Sequence, residues 1–142
     1  MFEDQFALCP INFFQISFDC HFLNGPFPKL AKEKSKKYRL PDLSDLCAED
    51  MFAEVSMAWN TSGVEVLVSV DKAFEQSQLP DVTKGDSVEL FIDTRDVKTS
   101  GHNTRFCHHF FFFPEPLEGI QAEEVTKFRT EDAHELCDPK EL

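Results

Sequence analysis

An all-β protein is predicted, an antiparallel β-sandwich of the jelly-roll-like kind, and three observations predict it. Apolar and polar residues alternate with period two over 53–59, 64–71 and 87–93, and a Phe-rich run at 104–113 reads as a fourth strand. Turn signatures separate these runs, most plainly Asn60-Thr61-Ser62-Gly63. Sixteen Phe against one Trp and one Tyr supply core area with almost no polar tips to satisfy. At 142 residues the chain is close to the roughly 150 residues of one domain, so a single domain with a single core is expected over 1–142.

The first element expected is a strand at 12–18, where Asn-Phe-Phe-Gln-Ile-Ser-Phe is aromatic and β-branched, followed by a turn at Asn24-Gly25-Pro26. The segment 29–39 gathers Lys29, Lys32, Lys34, Lys36, Lys37 and Arg39 around the single acid Glu33. It reads either as a docking patch for an acidic partner or as a solvated loop or short helix that offsets the acidic remainder. Pro41 stops any helix, and 41–50 reads as a polar connector.

The hairpin comes next. Ala53, Val55, Met57 and Trp59 share one face of its first strand, with Glu54, Ser56 and Ala58 on the other, and Trp59 reads as core packing. After the turn, Val64, Val66, Val68 and Val70 alternate with Glu65, Leu67, Ser69 and Asp71. A loop at 74–85 precedes a strand in which Val88, Leu90 and Ile92 oppose Glu89, Phe91 and Asp93. A fourth strand at 104–113 is expected to close on Pro114, with Phe106, His108, Phe110 and Phe112 on one face and Arg105, Cys107, His109, Phe111 and Phe113 on the other. The tail, 114–142, is acidic and irregular apart from a short strand at 125–130, and its His134 and Cys137 read as parts of a solvated, capped segment.

Charge narrows the function. Fourteen Lys and Arg face 26 Asp and Glu, a formal net charge of −12. Such a surface repels phosphate backbones and anionic headgroups, so nucleic acid and membranes are not expected partners, while neutral ligands, cations and basic proteins are. The five cysteines (Cys9, Cys20, Cys47, Cys107, Cys137) are odd in number and form no C-x-x-C pair, which fits reduced thiols in the cytoplasm better than a disulfide scaffold. The start is acidic where a signal peptide opens basic, and no run approaches the ~20 apolar residues of a membrane span.

Trp59-Asn60-Thr61-Ser62-Gly63-Val64-Glu65-Val66, followed by Gly85-Asp86-Ser87-Val88-Glu89-Leu90-Phe91-Ile92-Asp93, resembles the centre of carbohydrate-binding modules of family 9 and their DOMON-like relatives, over about 48–113. The resemblance implies a non-catalytic β-sandwich with a sugar site on one sheet, no organic cofactor, and structural calcium in some members. It carries the sugar-contacting Asp, Glu and Arg of the family onto Asp71, Glu89 and Arg105. His109, on the strand after Glu89, joins them as a ligand-binding candidate. A carboxylate accepts two hydroxyl donors and a guanidinium offers a fork of them, a combination suited to a vicinal diol. The stacking Trp of the family is replaced by Thr83, and Trp59 is the only Trp, so sugar binding is expected to be weak or lost. Members usually continue for further strands, so either the tail completes the sandwich unconventionally or a sheet edge stays open to a partner strand, which would suit a structural subunit built on that pairing.

Two other clusters carry chemistry. Cys107 and His109 share a strand face and offer soft and borderline metal ligands, with Asp93, His102 or Glu89 to complete the set, which makes a metal-binding protein or metal-dependent enzyme the alternative function. Asp93-Thr94-Arg95-Asp96, with Asp81 and Asp86, offers oxygens for calcium or, equally, caps for its own turns.

Overall fold

The structure is a computed structural model that describes residues 15–97, 99–129 and 131–142. Residues 12–14 of the first expected strand lie outside this set. Two compact units are formed, Met1–Lys72 and Ala73–Leu142. Strands dominate both and helix is confined to single turns, so the chain is all-β.

The first unit holds a three-stranded sheet in the order β1-β2-β3, with β1 at His21–Phe22, β2 at Ala53–Asn60 and β3 at Gly63–Val70. β2 and β3 form the expected antiparallel hairpin, from Ala53 opposite Val70 to Asn60 opposite Gly63. Asn60 Oδ1 accepts from Ser62 N at 2.7 Å, and Gly63 takes φ +149°, a conformation side chains disfavour. Two expectations for this region are corrected. Residues 15–18 form no strand, and β1 pairs with β2 in parallel, His21 to Ala58, so the sheet is not purely antiparallel. Within 41–50, Ser44–Cys47 make one α-helical turn, α1, with Ser44 N donating to Asp42 Oδ1 at 2.9 Å.

The core of this unit inverts the face assigned to β2. Ala58 is fully buried and packs with Leu23, Leu30 and Tyr38, while Trp59 is 45% exposed, its indole Nε1 donating to Cys20 O at 2.9 Å. The cause is the basic segment, whose 3-10 turns at Leu30–Lys32 and Lys36–Tyr38 bury Leu30 and Tyr38 and leave most lysines exposed. The short-helix reading of this segment holds in the form of these 3-10 turns. Glu65, on the Ala58 side of the hairpin, fixes it by accepting Lys29 N and Leu30 N, each at 2.9 Å. A small residue is needed beneath that turn, and Ala58 supplies it. Glu65→Ala removes the acceptor of two backbone N–H groups and is expected to cost about 1–2 kcal/mol in urea denaturation.

The second unit holds an antiparallel sheet in the order β4-β5-β6, with β4 at Val88–Asp93, β5 at Cys107–Leu117 and β6 at Ile120–Glu124. β4 falls where expected. β5 starts later, because Cys107 N bonds back to Thr104 O at 3.0 Å and makes 104–106 a turn. It also runs through Pro114, where the register with β6 shifts between Phe112 and Leu117, and such an irregularity needs no N–H from proline. The tail strand lies at Ile120–Glu124; of the expected 125–130, residues 125–129 form no strand and residue 130 lies outside the described set. Glu118 and Gly119 both have positive φ (54° and 83°), forming a two-residue hairpin turn.

The core of this unit is Val82, Phe111 and Phe113, joined by Leu79, Leu117, Ile120 and Val125. Val82 comes from a 3-10 turn, Val82–Lys84, inside the expected loop. Among the described residues no helix is long and apolar enough to cross a membrane.

Candidate functional site

Chemistry-bearing side chains collect on both faces of the β4-β5-β6 sheet. Strand alternation separates them, since His108 and His109 are adjacent in β5 and point opposite ways.

On the first face, Phe91 lies directly across from His109 and Glu89 is one pleat further along β4. The His109 ring lies 4.0 Å from the Phe91 ring, centroid to centroid, at 18° between planes, and His109 Nε2 is 2.7 Å from Glu89 Oε2. Phe91 remains 69% exposed, so its ring is a solvent-facing aromatic plate backed by an imidazole. Cys107 and Asp93 pair further along the same face.

Of the four expected ligand residues, the structure joins Glu89 and His109. Arg105 is not on a strand but in the turn before β5, where its side chain lies over the Phe106 ring and its Nε is 3.6 Å from Asp132 Oδ1 in the tail. Asp71 belongs to the first unit, just past β3, beside a 320 Å³ depression that it shares with Phe52, Glu54 and Ser69. The residue that sequence reasoning passed over is Phe91. Its signal was present, an apolar residue on the Glu89 side of β4.

The acidic turns serve the backbone. Asp93 accepts Arg95 N at 2.9 Å and Val97 N at 2.8 Å, and its carboxyl is held below the usual range by the Arg95 hydrogen bond first of all. Asp86 Oδ2 accepts Glu75 N at 2.7 Å, and Asp81 Oδ1 accepts the Thr83 hydroxyl at 2.6 Å.

The second face carries His108 and Phe110 from β5 and Glu124 from the end of β6, with 131–142 folded against them. Glu124 has a side chain only 1% exposed. Its Oε1 receives His134 Nε2 at 2.6 Å, Thr126 Oγ1 at 2.7 Å and His108 Nδ1 at 3.0 Å, and its Oε2 receives Cys137 N at 2.7 Å. His134 Nδ1 donates to Arg105 O at 2.8 Å. The His108 and His134 rings are 4.3 Å apart, and Phe128 meets His134 edge-on at 4.8 Å.

Burial alone would push the Glu124 carboxyl up. The hydrogen bonds from Cys137, Thr126, His134 and His108 outweigh it and hold the group at about 2. The Cys137 thiol goes the other way, pushed up by burial and then by Glu141, Glu124 and Asp138. The tail is exposed over most of 131–142 and capped at Asp138, as expected, but His134 and Cys137 turn inward, the His134 side chain being only 18% exposed.

Among the described residues, the group of three potential metal ligands brought together is His108, Glu124 and His134, whose ligand atoms all lie within 4.8 Å of one another. This group lies across the sheet from the expected Cys107 and His109. Glu124 and His134 carried no spacing signal, because they are ten residues apart in a charged tail and meet only when 131–142 turns back. No protein family, curated protein or solved structure matches the chain.

Proposed function

We propose that the chain is a non-catalytic binding module of the carbohydrate-binding-like β-sandwich kind, with Phe91, Glu89 and His109 as its ligand face and a neutral saccharide as its ligand. The observation that carries this is the exposed Phe91 ring, backed flat by His109, with the Glu89 carboxylate beside it. A pyranose presents C–H groups on one side and hydroxyls at its rim, so it needs one aromatic plate and adjacent hydrogen-bond acceptors. Phe91 takes the place of the Trp that Thr83 does not supply. The thiols of Cys20, Cys107 and Cys137 support a cytoplasmic setting.

One ring and one carboxylate–imidazole pair make a weak site. Each hydroxyl bond contributes about 0.5–1.5 kcal/mol net against water, which places dissociation constants in the millimolar range. Calorimetric titration with mono- and disaccharides is expected to show such binding. Phe91→Ala, at a surface position, is expected to weaken it about tenfold, equivalent to about 1.4 kcal/mol of stacking. Absence of heat with every sugar tried overturns the proposal.

A further inference from the structure

We propose that His108, Glu124 and His134 form a binding site for a zinc-class divalent ion, using His108 Nδ1, Glu124 Oε1 and His134 Nε2 and leaving a fourth position for water. Two imidazoles and one carboxylate are a donor set suited to zinc, and three protein ligands with an open corner make a complete tetrahedral arrangement. Ligand atoms about 2.1 Å from zinc stand roughly 3.4 Å apart in a tetrahedron. Here both nitrogens are closer than that to Glu124 Oε1, at 3.0 and 2.6 Å, and all three atoms fall within 4.8 Å. A carboxylate rotation that withdraws Oε1 by less than about 1 Å opens the space an ion needs.

The backbone hydrogen bond of His134 orients it as a ligand. The Arg105 carbonyl, which can only accept, takes a ring proton at Nδ1, 2.8 Å away, and this turns Nε2 toward the Glu124 carboxylate, 2.6 Å away. Donation of the other ring N–H to a backbone carbonyl is also what orients a metal-ligating histidine. The walls fit the same purpose, with Phe110 stacked on His108 and Phe128 edge-on to His134, and the excess of negative charge on the chain draws cations to it.

The three ligands come from β5, β6 and the tail, so a bound ion clamps 131–142 to the sheet. Nothing in this site involves Phe91 or Glu89, and the proposal stands or falls apart from the saccharide face.

The test is titration of the chelator-stripped full-length chain with Co²⁺, followed by displacement with Zn²⁺. One equivalent is expected to bind with the intense visible bands of tetrahedral cobalt, and zinc is expected to abolish them. His108→Gln and His134→Gln, with folding checked by circular dichroism, are each expected to weaken binding by about 100-fold or more, while His21→Gln, exposed in β1, leaves it unchanged. Failure to bind, cobalt bound without tetrahedral bands, or binding undiminished in His134→Gln overturns the site. Should either variant not fold, the wild-type cobalt spectrum decides alone.

Discussion

Glu124→Ala is expected to destabilise the metal-free protein by about 3–5 kcal/mol, the largest effect of any single substitution argued from this structure. The side chain is 1% exposed and accepts from four donors on three segments, the Thr126 hydroxyl, Cys137 N–H, His134 and His108. Alanine removes every acceptor at once and leaves those donors lining a cavity. Each buried donor without a partner costs about 1–3 kcal/mol, and partial relaxation of the tail toward water limits the sum. Glu124→Gln keeps one carbonyl oxygen and is expected to lose less, because its amide group still has to meet a donor. Urea denaturation of the two variants beside wild type measures both. His134→Ala and Glu124→Ala share a partner, so their combined loss is expected to fall short of the sum of the single losses. A loss for Glu124→Ala below about 1 kcal/mol would mean that water replaces the carboxylate freely and that the tail is not held by it.

That network marks the boundary of what the sequence made legible. β2, β3 and β4 lie where period-two alternation put them, because strand geometry forces neighbouring side chains to opposite faces whatever lies beyond. Which face is inner was not legible. On β2 the large Trp59 outweighed the small Ala58 as an apparent core residue, yet Leu30 and Tyr38, from 3-10 turns twenty or more residues upstream, close over Ala58. Burial there depends on what covers the strand. Pro114 looked like a terminator because a regular ladder needs its N–H, and the register shift after Phe112 removes that need. β6 was hidden because its most buried residue, Glu124, is an acid, and a buried acid looks like surface until its donors are in view. The candidate sites divide in the same way. Glu89 and His109 were both singled out, and adjacent antiparallel strands bring them together. Arg105 lies in the turn before β5, because the strand begins at Cys107, and Glu124 meets His134 only through a chain reversal that no local pattern encodes.

The same carboxylate predicts how acid unfolds the protein. The Glu124 carboxyl has an ordinary value of 4.5 and is lowered to about 2 in the folded state, so the folded protein holds this group ionised where the unfolded chain already takes up a proton. A depressed carboxyl contributes stability that is fully present above the unfolded value and is lost as pH falls toward the folded one. The loss is therefore expected between about pH 4.5 and pH 2, and its size is on the order of 3 kcal/mol. The carboxyl is almost wholly enclosed, so salt should screen this contribution far less than it screens the exposed Lys84–Asp81 pair. Urea midpoints for wild type and Glu124→Gln, followed from pH 7 down to pH 2.5 without metal, separate this group from the other carboxylates. The gap between the two proteins is expected to hold steady above about pH 5 and to close through the acid range, because glutamine has no proton to gain. A gap that stays constant to pH 2.5 would mean that Glu124 titrates alike in the folded and unfolded chains, and that the four donors around its oxygens do not favour the charged form.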